Sequence, residues 1–566
     1  MISLMLRPPS QVMKLERLGV SFASRLSFMR TLVRHMAQDK WSITYSRFKL
    51  DKNGYGHAVF DIQTPHSHLS MVIFSQCLDN SERSDRVIAD KWDLTMTLLE
   101  GLVDEVNLAR LAANVPLQEK GRIDARSLSL ARANRSTRIF NTVLNDLRVG
   151  KQPDATKLAQ VGYLYRTTAV YGSGKFGSCD WDKILKRHPD LARPFASEML
   201  VCYLIRQFSL DQLDHMVHQD DYPHAVSLAP ELQRYLGIGN STGLGMAPWL
   251  INHPMVFSQW VLQRETAYAE AIQQSVTNGK LTELQTTIDK AFQHVHEINT
   301  VNESQQQNNA TLLSDLAALR DWINDNKMQI KNWQKLHDWA EQHYSLQGQE
   351  LLVSLLLELY PQCIDGKEDH MKVVEVMQYD PTACAKKLVD AIEDNYDWAF
   401  VYNFDIPKQN QTFWYYSQAK MEPRLGEIGI DEGVERQMFL GIAKAVQECH
   451  TDLLAYLDQQ PETCIADFLL AWPKHAGIVQ RIITMSQTTY GEIRANLLDA
   501  KVLPIYLLRA KLAYFGVSKF DPKSRLWVRN TMFQGAPLIS ELSEKFMDDW
   551  CFPISPQQDN QQAEHG

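Results

Sequence analysis

The stretch YLGIGNSTGLGMAP (235–248) sets Gly237, Gly239, Gly243 and Gly245 around Asn240, Ser241 and Thr242. Glycines let backbone N–H groups converge, small polar side chains add donors, and a helix opening at Pro248 would favour negative charge at its N-terminus. The stretch is therefore expected to be a loop that holds an anionic group, with Gly239, Asn240, Ser241 and Thr242 as substrate-binding residues.

A second glycine-rich stretch, AVYGSGKFG (169–177), carries Gly172, Gly174 and Gly177 at dinucleotide-fingerprint spacing. The context does not fit that motif. The preceding LAQVGYLYRTTAV reads as helix rather than buried strand, and the following residues are helical with no second strand. A phosphate-loop pattern fails too, because Ala169 and Phe176 stand where Gly and Ser or Thr are required.

The same region is echoed later in the chain. Tyr163, Leu164, Arg166, Ala169, Gly172, Lys175 and Phe176 match Tyr506, Leu507, Arg509, Ala513, Gly516, Lys519 and Phe520. Each copy is expected to end a helix at glycine and to turn a lysine back toward an arginine. Two cations meeting at a helix end either complement its dipole or anchor a carboxylate or phosphate. On the second reading Arg166, Arg509 and Lys519 bind substrate, while Lys175 stabilises developing charge. Tyr171 or Glu422, the latter set between Lys420 and Arg424 in WYYSQAKMEPRLGEIG, moves the proton.

Other constellations carry less. His215, His218 and His224 near Asp220 and Asp221 resemble a metal set, but the acids fall beyond the expected helix end. Cys179 has no histidine marked as its base. Arg132, Arg135 and Arg138 recur every third residue and are read as the solvated face of a helix that Asp124 caps and Gly150 ends. No metal or dinucleotide motif is well formed, and no cofactor is assigned.

These residues need elements to position them. Alternating residues in WSITYSRFKL, HAVFDI, HLSMVIF and WDLTMTLLE, joined by turn-forming NGYG, TPHS and DNSERSD, predict four antiparallel strands. Helical periodicity takes over from about 102, and strands return at DWAFVYNFDI, TFWYYS and RLWVRNTMF. The expected fold is α+β and predominantly α-helical, with small antiparallel sheets in the N- and C-terminal parts and a helical middle region. The consecutive stretches are an N-terminal amphipathic helix (1–40), a β-rich segment (41–110) and a helical domain with both glycine-rich loops (111–275). A polar helical excursion (276–388), an α+β domain (389–550) and a disordered tail (551–566) follow.

The formal net charge of −9 argues against coating nucleic acid. Eight scattered cysteines without a C-x-x-C pair fit a reducing, cytoplasmic setting. No apolar run reaches the length of a membrane span. The reading is a soluble cytoplasmic enzyme acting on a small anionic metabolite, its reaction open among lyase, isomerase and transferase. The alternative is a non-catalytic interaction protein in which the excursion drives assembly, as in a homo-oligomer, and the glycine stretches are structural turns.

Overall fold

The structure, a computed structural model, describes residues 5–79, 91–118, 124–169, 181–243, 254–327, 329–371, 380–401, 412–417, 422–426, 438–439, 442–492, 497–498, 506–524, 527–542 and 550–556. Where the sequence divides into consecutive stretches, contacts gather the chain into two compact units. A sheet unit comprises Phe22–Thr242, Ser275–Pro361 and Leu512–Gly566. A helical unit comprises Met1–Ser21, Gly243–Gln274 and Gln362–Lys511.

In the sheet unit, β1 (Ser42–Leu50), β2 (Gly56–Gln63), β3 (His68–Ser75) and β4 (Leu94–Glu100) form an antiparallel meander. Its first turn is built by Asp51, whose carboxylate accepts the Asn53 and Tyr55 N–H groups at 2.8 and 2.9 Å. Alternation gives each strand two unlike faces. One face, with Ala58, Phe60, Ile62, Met71, Ile73, Met96 and Leu98, is almost wholly buried. The Ala196–Val217 helix serves that side of the sheet, where Tyr45 donates to Asp211 at 2.7 Å and Gln212 donates to Ser75 Oγ at 2.9 Å. Val59, Val72, Phe74, Leu99 and Leu130 cluster instead with Leu108, Leu111 and Val115, on and just after the Glu105–Asn114 helix. Each large apolar side chain so buried contributes about 1.5–3 kcal/mol.

The sheet then departs from the expectation. β5 (Ser127–Arg135) and β6 (Tyr163–Thr167) are strands where the sequence reads as helix, and β7 (Gly237–Gly243) is a strand where it reads as a loop. Asp124 caps no helix: its carboxylate accepts the Arg126 N–H at 2.8 Å and pairs with Arg110 just before β5. β6 and β7 run parallel.

A second, small sheet lies in the helical unit. Its central strand β8 (Thr412–Ser417) pairs antiparallel with β9 (Glu422–Gly426), β10 (Met438–Phe439) and β11 (Leu497–Leu498). Of the strand expected at DWAFVYNFDI, the described part, Asp397–Val401, is a 3-10 turn instead, and β8 takes β9 as its hairpin partner. The core of this unit is helical, with Ile392, Val446, Leu453, Phe468, Val479 and Ile482 buried together.

The last strands, β12 (Asp521–Pro522) and β13 (Trp527–Met532), join the first sheet beyond β7. Two small terminal sheets are therefore not what the chain forms. It builds one mixed nine-stranded sheet, ordered β1-β2-β3-β4-β5-β6-β7-β13-β12, and helix predominates among the described residues outside it. Residues from near the C-terminus complete a sheet begun near the N-terminus. Arg206 fastens that junction, donating to the carbonyls of Gln233, Arg234 and Leu236 before β7 and of Ala536 and Pro537 after β13. Gly237 permits the close approach, since a Cβ there would stand 2.2 Å from the Met532 carbonyl oxygen.

Candidate functional site

The polar centre of the sheet unit lies on β4 to β7. Register places Asn134 opposite Arg166 and Thr95 opposite Arg132. By strand alternation these four side chains share one face. It is the face opposite Arg135, whose guanidinium donates to Tyr165 Oη at 2.6 Å. Thr95, Arg132, Asn134 and Arg166 are all at most 6% exposed, so two guanidinium groups and a carboxamide are buried within one strip. The three-residue spacing of Arg132 and Arg135 thus reports opposite strand faces; neither belongs to a solvated helix.

Local backbone chemistry holds the strip in place. Arg132 lies over Trp92, its guanidinium carbon 3.8 Å from the ring centre. Its carbonyl accepts from Thr167 Oγ1 at 3.1 Å and from the Thr168 N–H at 3.0 Å. Asn134 accepts the Asp93 N–H at 3.0 Å, and Asp93 accepts the Arg135 N–H at 2.9 Å. On the next strand Asn240, fully buried, donates from Nδ2 to the Thr167 carbonyl at 2.9 Å. Gly239 pairs with Arg166 and must be glycine, because a Cβ there would meet the Tyr163 ring at 2.6 Å and Arg166 Cγ at 2.7 Å.

Of the residues singled out from sequence, Arg166, Gly239 and Asn240 therefore come together, with Ser241 and Thr242 continuing β7. Tyr171 and Lys175 lie outside the described residues. Lys519 is elsewhere in the same unit, buried, donating from Nζ to the Ala159 carbonyl at 2.9 Å; burial lowers its ammonium from the usual lysine value. Glu422 opens β9 opposite Ser417, and Arg509 is buried on the Leu507–Phe515 helix, its guanidinium pushed down by burial to about 10. Those two belong to the helical unit.

Sequence reasoning missed a second constellation at the other end of β3 and β4. Ser67 Oγ lies 3.0 Å from His188 Nδ1, and His188 Nε2 lies 2.9 Å from Glu100 Oε1. Beside them Asp190 accepts from Thr64 Oγ1 at 2.6 Å and from the His66 N–H at 3.1 Å, with His66 Nδ1 at 2.8 Å. Burial acts to raise the Asp190 carboxyl, but the bonds from His66 and Thr64 outweigh it and hold it below the usual range. These contacts clasp the segment after the Trp181–Arg187 helix to the β2–β3 turn. A hydroxyl, an imidazole and a carboxylate in series also have the order of a nucleophilic relay. With Ser67 and His188 121 residues apart, no local signal marks it.

An open cleft of about 180 Å³ is lined by Asp211, Asp214, Ser227 and Gln233 among others, an acidic lining unsuited to an anion. Among the described residues, no helix is long and apolar enough to cross a membrane. Comparison of the chain with family models, with curated proteins and with solved structures gives no match.

Proposed function

We propose that the chain is an enzyme acting on a small metabolite that carries a carboxylate or phosphate, and that Arg132, Arg166 and Asn134 hold that group while Asn240 braces the Thr167 carbonyl at the end of β6. One observation carries the reading: Arg132 and Arg166 are buried on the same face of adjacent strands. Guanidinium forks match the geometry of carboxylate and phosphate oxygens, and burial strengthens the attraction. β6 and β7 are parallel neighbours, and ligands of sheets with parallel strands bind beyond their carboxyl ends. Tyr171 and Lys175 follow β6 in sequence and are the groups to move the proton and to offset developing charge. The free cysteines among the described residues support a reducing, cytoplasmic setting.

The test is thermal denaturation with inorganic phosphate, citrate and adenosine monophosphate at matched ionic strength, for wild type, Arg166→Lys and Arg132→Lys. Binding to the folded state raises the melting temperature by mass action. The expected result is a rise with one class of anion that both variants lose, since lysine keeps the charge and not the fork. No rise with any anion refutes the reading.

The Ser67–His188–Glu100 series favours a second reading, ester hydrolysis. Ser67 Oγ would attack the acyl carbon while its proton passes to His188 Nδ1, the Nε2 proton being directed at Glu100. The ester C–O bond breaks, the alcohol leaves with the Nδ1 proton, and water, deprotonated by His188, then releases the acid and restores Ser67. Labelling by a fluorophosphonate at Ser67, abolished in His188→Gln, would establish it. An unlabelled Ser67 leaves the series as a clasp.

A further inference from the structure

Cys384 and Cys464 stand directly opposite one another in an isolated antiparallel bridge within the helical unit. The hydrogen bonds of the bridge run from the Ala385 N–H to the Thr463 carbonyl (3.0 Å) and from the Ile465 N–H to the Ala383 carbonyl (2.9 Å). They flank the cysteines instead of joining them, which makes the two a non-hydrogen-bonded pair. Such pairs are the closer kind, with Cα atoms about 4.5 Å apart and both Cβ atoms on one face. A disulfide spans Cα separations of roughly 4.4–6.8 Å, so the backbone already holds the two at the short end of the bonding range.

The surroundings keep both sides of the bridge in place. Asp380 accepts from the Thr382 N–H at 2.9 Å and from Thr382 Oγ1 at 2.6 Å, which fixes the turn leading to Cys384. The Ala466 N–H donates to the Pro381 carbonyl at 2.8 Å, tying that turn to the Ile465–Ala471 helix. Cys464 is the residue before this helix, and its thiol and backbone N–H both donate to Asp467 Oδ2, at 3.1 and 3.3 Å. Both thiols are free, Cys384 exposed and Cys464 half-buried. The other described cysteines of the unit contrast with them. Cys363 and Cys449 are buried, and burial pushes their thiols up to about 11 and about 12.

We propose that Cys384 and Cys464 form a reversible disulfide, a redox modification site that takes a small disulfide such as oxidised glutathione as its oxidant. The more exposed Cys384 thiolate attacks one sulfur of oxidised glutathione. The glutathione S–S bond breaks, one glutathione leaves as a thiolate, and Cys384 holds the other as a mixed disulfide. The Cys464 thiolate then attacks Cys384 Sγ and expels the second glutathione. Two protein thiols become one disulfide, one oxidised glutathione becomes two reduced molecules, and the two cysteine protons end on the departing thiols. The new bond would fasten the Pro381–Cys384 turn to the first turn of the Ile465–Ala471 helix. An exposed bond of this kind is readily reduced, which suits a switch better than a permanent brace.

The test equilibrates the full chain with reduced and oxidised glutathione at graded ratios, blocks the remaining thiols with iodoacetamide and maps unreduced peptides by mass spectrometry. Exposed Cys77 serves as the internal control, since its glutathione adduct shows that the mixture is oxidising enough. The expected product is a linked Cys384–Cys464 peptide pair lighter by two hydrogen atoms and released by dithiothreitol. Cys464→Ser keeps a good helix N-cap, so it is expected to fold and to leave Cys384 as a stable glutathione adduct. Separate alkylation of both cysteines at ratios that modify Cys77 overturns the proposal. So does a bond from either one to a different cysteine.

Discussion

Tyr163-Leu164-Tyr165-Arg166 and Tyr506-Leu507-Leu508-Arg509 share a pattern, yet the first lies in β6 and the second runs into a helix from Leu507. The neighbours differ in kind. After Arg166 come Thr167 and Thr168, β-branched residues that favour extended backbone. Thr167 Oγ1 also secures that conformation by accepting the Ala169 N–H at 3.1 Å and donating to the Arg132 carbonyl at 3.1 Å. After Arg509 come Ala510, Lys511, Leu512 and Ala513, all strong helix formers. Before Tyr163, Gly162 in the left-handed region (φ +80°) stops the preceding helix and releases the chain toward β5. Both arginines end buried, at 4% and 6% exposure, by different routes. A shared tetrapeptide carries less information than the backbone waiting to pair with it.

Four substitutions sharpen that contrast. The largest effect is expected from Gly237→Ala. The first copy is a strand within a closed sheet only if β7 can approach β13, and the added methyl would collide with the Met532 carbonyl, 2.2 Å away. A loss of about 3 kcal/mol in urea unfolding is expected. A loss under about 0.5 kcal/mol would mean that β13 does not close on β7.

Next come the glycines that bound the two copies. Gly516 ends the second copy's helix at φ +103°, with the Val517 N–H bonded to the Leu512 carbonyl at 2.8 Å. A Cβ on Gly516 would meet Ser27 Oγ at 2.7 Å, whereas one on Gly162 meets Thr531 Oγ1 at 3.1 Å. Gly516→Ala is therefore expected to cost about 2 kcal/mol and Gly162→Ala about 1 kcal/mol. The reverse order would show that side-chain crowding is not what separates them.

The smallest effect concerns Lys519, the lysine of the second copy. Burial holds its folded-state pKa below the usual lysine value, so the unfolded chain binds more protons between the two. Stability should therefore rise with pH across that window and level off above about 10.4. In denaturant titrations at increasing alkaline pH, wild type should gain on Lys519→Met. Parallel curves would mean that Lys519 is solvated.

The meander β1 to β4 was legible because its strands alternate cleanly and its turns carry Asp, Asn and Gly. β5 was not, since SLSLARANR is made largely of residues equally at home in a helix, and its strand form depends on β4 and β6 on either side. β7 misled for another reason: its glycines suggested a loop, whereas Gly237 and Gly239 yield space to Met532 and the Tyr163 ring. Arg166 and Asn240 were recognisable by residue type alone. Arg132 was hidden by its spacing, and Ser67, His188 and Glu100 by the length of chain between them. What sequence conveyed was local chemistry; what it withheld was which distant backbone would be the partner.

The Arg206 junction bears on how the protein is made. A ribosome releases Arg206 and β7 long before residues 521–537, and until those arrive β7 presents an unpaired edge while two of the five carbonyls that receive the guanidinium are missing. An open edge beside a half-satisfied cation is a site for misassembly. The nascent chain is thus most vulnerable late in synthesis, and a premature stop before 521 would produce an aggregation-prone polypeptide rather than a shorter working protein.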